Sequence, residues 1–187
     1  MEEAIAIAAS ELAKKANWNG CGKPKKRLTN AYLVQGSRVL LGYKKRGFGE
    51  GKVNGFGGKV DESRGESVYK AALREMEEES GLQLLDAKCV GVLLYDYPTK
   101  ESTMEVFVYK AMKYQGTITE SDEMDPRWVE KGDIDYNEMW ADDPYWLMKL
   151  FALDLDSNVF IGWFDFSEDM NSVKRCQVQD VKRTELG

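Results

Sequence analysis

The sequence predicts an α+β fold, a mixed β-sheet with helices packed on it. Three observations carry that expectation. Apolar or alternating runs of strand length recur along the chain, only two segments show strong helical periodicity, and 43% of the 187 residues are hydrophobic, enough for a core without disulfides. In chain order, residues 1–16 read as a short amphipathic helix, closed by the breakers Asn17, Asn19, Gly20, Gly22 and Pro24. Residues 1–26 are therefore expected to form an N-terminal extension, with Lys23, Lys25, Lys26 and Arg27 as a solvated connector, and residues 27–187 a single domain. A strand over 29–34, a Gly36-Ser37 turn and a second strand over 38–43 make a hairpin. Further strands are expected over 88–96, 104–112, 127–129, 159–166 and 173–181, and helices over 68–79 and 144–153.

Composition narrows the chemistry. The chain has no histidine, which excludes Ser-His-Asp triads, His-ligated zinc and imidazole acid/base catalysis. With 26 basic and 32 acidic residues the net charge is −6, against a protein that coats nucleic acid or an anionic membrane, so neither a stable nucleic-acid complex nor a membrane partner is expected. Cys21, Cys89 and Cys176 are widely spaced and odd in number, the usage of a reduced, cytoplasmic protein. The apolar stretch 4–9 is flanked by Glu2, Glu3 and Glu11 and lacks the basic start of a signal peptide.

Chemistry concentrates in one segment. Residues 48–59 read Phe48-Gly49-Glu50-Gly51-Lys52-Val53-Asn54-Gly55-Phe56-Gly57-Gly58-Lys59, a loop whose glycines allow close approach to a ligand. It leads into a helix ending Arg74-Glu75-Met76-Glu77-Glu78-Glu79, with Ser80-Gly81 as its C-terminal stop. At about 100° per residue, Glu75, Glu78 and Glu79 share one face beside the apolar arc of Val68, Ala72, Leu73 and Met76, while Glu77 points away. Like charges so placed destabilise a helix unless a cation holds them, and oxygen ligands alone suit magnesium or manganese rather than zinc. An isolated run of glutamates would instead be a solvated surface.

The surrounding residues decide between these. Gly58, Glu66 and Arg74-Glu75-Met76-x-Glu78-Glu79-x-Gly81-Leu82 resemble the signature G-x5-E-x7-R-E-U-x-E-E-x-G-U of the Nudix hydrolases, with two extra residues between Gly58 and Glu66. The similarity runs from about residue 28 to 181, through Arg38-Val39-Leu40-Leu41-Gly42, Lys44-Lys45-Arg46-Gly47-Phe48-Gly49, Asn54 to Val60, Glu120-Ser121-Asp122-Glu123-Met124 and Met139-Trp140-x-Asp142-Asp143-x-Tyr145-Trp146, and is greatest to the MutT homologue type. It implies an α/β/α sandwich and a monomeric enzyme that converts oxidised purine nucleoside triphosphates, such as 8-oxo-dGTP and 2-hydroxy-dATP, to monophosphate and pyrophosphate.

By the same resemblance, Glu75, Glu78, Glu79, Glu123 and the Gly57 carbonyl bind Mg²⁺, with Mn²⁺ as an alternative. Such an ion bridges phosphate oxygens and acidifies a bound water, a route that needs no imidazole. Catalysis would fall to Glu75, Glu79 and Glu123, with Glu79 or Glu123 handling the water's proton. The substrate would meet Thr29, Lys44, Asn54, Phe56, Gly57, Gly58, Lys59, Trp140, Asp142 and Asp143. Lys44 and Lys59 are the phosphate-side cations, and Arg74 holds the glutamates. Trp140 offers a face for stacking and Asn54 an amide that donates and accepts. Adjacent Asp142 and Asp143 would share a proton and read the base edge, although Asp143 before Pro144 also fits a helix N-cap. Phe48, Tyr95, Tyr97, Met104 and Trp146 are further pocket candidates. Val53 replaces a tryptophan of the MutT homologues, and Tyr95 and Tyr97 replace phenylalanines. ADP-ribose, dinucleotide polyphosphates or a cap structure are alternative substrates, and a non-catalytic nucleotide sensor is a further alternative.

Overall fold

The computed structural model describes residues 1–154 and 156–186. It contains α1 (Glu2–Lys15), β1 (Lys25–Gln35), β2 (Arg38–Lys44), β3 (Val53–Asn54), α2 (Val68–Ser80), β4 (Leu82–Leu84), β5 (Lys88–Asp96), β6 (Thr103–Ala111), β7 (Tyr114–Gly116), β8 (Met124–Glu130), α3 (Asp143–Ala152), β9 (Asn158–Phe166) and β10 (Val173–Lys182). Every expected strand and helix is present within two residues at both ends, except at the starts of β1 and β8. The short β3, β4 and β7 escape sequence reading, because two or three residues carry no readable periodicity. The chain divides into two compact units. The first holds Met1–Leu28, Cys89–Val108 and the chain from Ala141 onward, the second Thr29–Lys88 and Tyr109–Trp140.

In the first unit the strands run β10-β9-β5-β6, followed by the start of β1. β9 is antiparallel to β10 and parallel to β5, which makes the sheet mixed. β5 and β9 are buried at nearly every position, the pattern of strands covered on both faces. Helix α1 packs against β9 through Ile5, Ala6, Ala9 and Ala13, whose mostly small side chains let the helix lie close. Trp18 continues this contact by donating its indole N–H to the Phe164 carbonyl at 3.2 Å.

The basic stretch before the hairpin is not the solvated connector expected. Lys23 pairs with Asp96 at 2.6 Å, Lys25 with Glu105 at 2.6 Å, and Arg27 with Glu105 at 3.1 Å and Glu3 at 3.0 Å. Asp96 and Glu105 are each only 2% exposed, and a buried carboxylate without a counter-charge would cost several kcal/mol. The cations are drawn in to these acids, and residues 25–27 become the first residues of β1 instead of a linker.

In the second unit β1 and β2 form the hairpin, with Leu33 opposite Leu40 and Gly36 at φ +58° in the turn. β8 pairs along the whole of one edge of β2. The other edge is divided between β1, opposite residues 38–40, and β3, opposite Gly42 and Tyr43. β1 therefore leaves β2 part-way, and the chain after β3 lies against it, with Phe56 bridging Ala31. That divergence carries the glycine-rich loop alongside residues 29–31. Helix α2 begins at Ser67, whose Oγ accepts from the Lys70 N–H, and ends at Gly81 with φ +74°. Ala71, Ala72, Met76, Glu79 and Ser80 form its buried face. β4 and β7 make a separate two-stranded ladder beyond it. Among the described residues no helix is long and apolar enough to cross a membrane.

Candidate functional site

The glycine-rich loop is stitched to β1 by backbone hydrogen bonds. The Thr29 N–H donates to Gly58 at 2.9 Å, and Ala31 and Phe56 exchange bonds of 2.6 and 2.9 Å. Phe56 is wholly buried beneath the loop. Two glycines lie in close approach, Gly57 to backbone and Gly58 to the end of a side chain. A Cβ at Gly57 would run into the Thr29 carbonyl, and one at Gly58 would stand 2.5 Å from Oε1 of Glu75. Gly57→Ala is therefore expected to lower stability by about 3 kcal/mol, because backbone cannot yield as a side chain does. Gly132→Ala, where a Cβ meets nothing, is the control and should shift stability by no more than about 0.5 kcal/mol in the same urea titration.

The three glutamates of α2 sit in graded surroundings. Glu79 is buried, Glu75 half-buried and Glu78 exposed. Oε2 of Glu79 accepts the Gly57 N–H at 2.9 Å, and Oε1 accepts from the Lys44 ammonium at 2.8 Å. The same ammonium donates to Glu123 at 2.9 Å, and the Lys45 N–H bonds the Glu123 carbonyl, which fixes that distant loop beside β2. Arg74 donates to Glu75 at 2.8 Å and Glu78 at 3.0 Å, and its other edge holds Glu66 at 2.8 and 3.0 Å and the Lys59 carbonyl at 3.2 Å. The two extra residues before Glu66 are taken up by a 3-10 turn, Glu62–Arg64, closed by Gly65 at φ +67° and by the Asp61 N–H donating to Glu66. The insertion thus leaves the Glu66–Arg74 clasp intact.

Electrostatics separates the carboxylates. Burial pushes Glu79 above the usual carboxylate range against the opposing pull of Lys44, and does the same to Glu75 against Arg74. Glu123 is held below it by Lys44, and Glu66 by Arg74. For Lys44, burial alone would favour the neutral amine, but hydrogen bonds to Glu79 and Glu123 outweigh it and keep the ammonium charged. Sequence reasoning makes Lys44 a phosphate-side cation; it lies instead between two of the acids. Lys59 is exposed. Among the described residues no three His, Cys, Asp or Glu side chains converge closely enough to hold a metal ion by themselves, since Lys44 and Arg74 stand between the carboxylates.

Other expected substrate residues divide between the units. In the second, Thr29 carries a buried hydroxyl with no hydrogen-bond partner among the described residues. Trp140 is stacked by Phe48, with ring centroids 4.9 Å apart and planes at 22°, and the Lys52 ammonium lies 5.3 Å from its centre. Asn54 accepts from Asn30 and Tyr32, both at 3.1 Å. Sequence reasoning singles out neither partner, although a polar residue at alternate positions of an apolar strand is a readable signal. In the first unit Asp142 and Asp143 are buried at 5% and 1% exposure. Asp142 is the N-cap residue of α3 but its side chain makes no capping bond. Its Oδ2 accepts instead from the Tyr95 hydroxyl at 2.8 Å and the Trp146 indole at 2.9 Å. Burial raises its pKa against these two donors. Tyr95 stacks on Phe164 and Tyr97 on Phe166, packing both rings into the core of this unit.

The profile of the NUDIX domain matches residues 25–150. The chain belongs to the NUDIX family. Two relatives support a finer comparison. The oxidized purine nucleoside triphosphate hydrolase of Danio rerio is 45% identical over 141 residues, covering 75% of this chain and 86% of that protein. The mouse (Mus musculus) protein of the same name is 40% identical over 153 residues, covering 82% and 94%. Among solved structures, a MutT protein from Bacillus halodurans superposes with a TM-score of 0.69 at 23% identity, over 82% of this chain and 97% of that one, a likeness of fold. NUDIX hydrolases use divalent metal ions, and the donors here suit one. They are all oxygen, and the carboxylate face of α2 already gathers the Lys44 and Arg74 cations.

Proposed function

We propose that this NUDIX protein hydrolyses oxidised purine nucleoside triphosphates to monophosphate and pyrophosphate, removing them from the cytoplasmic nucleotide pool. The observation that carries the reading is the buried Glu79, pinned by the Gly57 N–H and sharing the Lys44 ammonium with Glu123, in a chain with two relatives named for that activity. Mg²⁺ would be held by Glu75, Glu78, Glu79, Glu123 and the Gly57 carbonyl, where it supplies charge neutralisation at phosphate oxygens and a more acidic water.

The chain's own residues do the rest. Desolvation keeps Glu75 and Glu79 eager for a cation or a proton, which suits groups that must bind metal and accept a water proton at neutral pH. Glu79 or Glu123, which share the Lys44 ammonium, would accept that proton. Arg74 positions the helix face by tying it to Glu66 and to the loop carbonyl of Lys59. In the second unit Asn54 offers its amide to the base and Trp140 an aromatic face; in the first, Asp142 and Asp143 are the carboxylates that the family resemblance assigns to base reading. Three free cysteines accord with a reducing compartment.

The test is a screen of the whole protein with Mg²⁺ against 8-oxo-dGTP, 2-hydroxy-dATP, their undamaged parents, ADP-ribose, a dinucleotide polyphosphate and a cap analogue, measuring pyrophosphate and phosphate separately. Pyrophosphate release from the oxidised purines above all others is the expected result. A preference for undamaged dGTP, or equal turnover without divalent metal, would overturn it.

A further inference from the structure

Asn54 is not a free amide. Its Oδ1 accepts from Asn30 Nδ2 and from the Tyr32 hydroxyl, and Asn30 Nδ2 also donates to that hydroxyl at 2.9 Å, so the three side chains close a ring of hydrogen bonds. Asn30 and Tyr32 stand two residues apart on one face of β1, and Asn54 pairs with Gly42 on the neighbouring strand. Tyr32 is completely buried, which fixes its hydroxyl.

Turning both amides over would keep three hydrogen bonds but change what is left unpaired. As found, the unpaired atom is the buried Oδ1 of Asn30, which lies against Gly55. After the turn an NH₂ group with two donors would occupy that place. Under-satisfied carbonyls are tolerated more often than orphaned N–H groups, so the ring has a preferred direction. In that direction Asn54 presents its Nδ2.

We propose that Asn30 and Tyr32 are specificity-determining positioning residues that hold the Asn54 amide with its NH₂ outward, so that this chain selects purines carrying a carbonyl over those carrying an amino group at the contacted edge. The inference rests on the nucleotide reading above. With the six-position of the base placed against this amide, as proposed, an outward donor rewards the 6-oxo group of 8-oxoguanine and opposes the 6-amino group of 2-hydroxyadenine, where two donors would face each other. Neither Asn30 nor Tyr32 needs to touch the ligand.

Calorimetric binding of 8-oxo-dGMP and 2-hydroxy-dAMP to the intact protein tests this without catalysis. Wild type should favour 8-oxo-dGMP. Asn30→Asp offers only acceptors to Asn54, so its amide turns and the affinity ratio should move toward 2-hydroxy-dAMP by about tenfold or more, one hydrogen bond's worth on each ligand. Tyr32→Phe, which removes one donor and keeps the ring, should narrow the ratio without inverting it. Thermal melts confirm that each variant folds. If both variants weaken the two ligands by the same factor, or if wild type favours 2-hydroxy-dAMP, the proposal is overturned while the activity reading stands. If wild type binds neither monophosphate and hydrolyses neither triphosphate, the activity reading itself has failed.

Discussion

Glu79→Gln is expected to lower pyrophosphate release from 8-oxo-dGTP by about 10³-fold while leaving the fold intact. The two halves of that expectation have one cause. The Glu79 carboxylate is buried beside Met76 and Ser80 on the inner face of α2, and its charge there is maintained only by Lys44 and the Gly57 N–H. Glutamine preserves the side chain's length and removes the cost of burying a charge, but its one carbonyl can accept from Lys44 or from the Gly57 N–H and not from both, so the two effects oppose each other and the melting temperature should stay close to that of wild type. Lys44 keeps Glu123 as its partner. What the amide cannot do is bind a hard cation strongly or accept a proton from water. Glu75→Gln should behave alike, since Arg74 retains Glu66 and Glu78. Glu77→Gln, on the exposed side of the same helix, is the internal control and should leave turnover unchanged. Circular dichroism melts alongside turnover separate loss of chemistry from loss of fold. A Glu79→Gln enzyme with wild-type turnover would remove the carboxylate from the mechanism.

How much of this is legible in the sequence follows from whether the information is local. The α2 periodicity, its stop at Gly81 and the grouping of Glu75, Glu78 and Glu79 depend on residues within a few turns of one another, and the structure has them within a residue. Pairings across the chain are not readable. Lys44 sits between Glu79 and Glu123 because the end of β2 meets both α2 and the chain leading into β8, a fact of topology that spacing does not encode. Lys23, Lys25 and Arg27 look like a surface connector because the acids that draw them in, Asp96 and Glu105, lie on later strands and become buried only when the sheet forms. The divergence of β1 from β2, which admits β3 and the glycine loop, likewise arises from three strands meeting at one edge. Absence of histidine, by contrast, needs no structure. It confines proton transfer to carboxylates, and the carboxylates with raised affinity for protons, Glu75, Glu79 and Asp142, are among those proposed for function, beside Glu123, which Lys44 holds ionised.

Asp142→Asn is expected to cut kcat/KM for oxidised purine triphosphates by about 10²-fold or more, and to spare ADP-ribose or cap hydrolysis if either is detectable. The carboxylate is an acceptor only, whereas the amide adds a donor. With Tyr95 and Trp146 both donating to Oδ2, the asparagine carbonyl is drawn to that side and its NH₂ is turned the other way, where Asp142 formerly offered a second oxygen. A base edge that donated to Asp142 then meets a donor, which costs more than a missing bond. Stability should move oppositely, and its pH dependence carries the sign. Burial raises the pKa of Asp142 above its ordinary 3.8, so the folded protein holds this proton more tightly than the unfolded chain. The group's favourable contribution is complete below about pH 4 and is lost as pH rises through the folded-state value. The Asp142→Asn variant takes no part in that titration, because a neutral amide has no proton to lose. Urea titrations of wild type and variant should therefore agree most closely at acid pH, with the variant gaining relative stability toward neutrality. A gap that stays constant across that range would mean that Asp142 ionises as readily in the fold as in the open chain, and that its two donors, Tyr95 and Trp146, fully offset the burial.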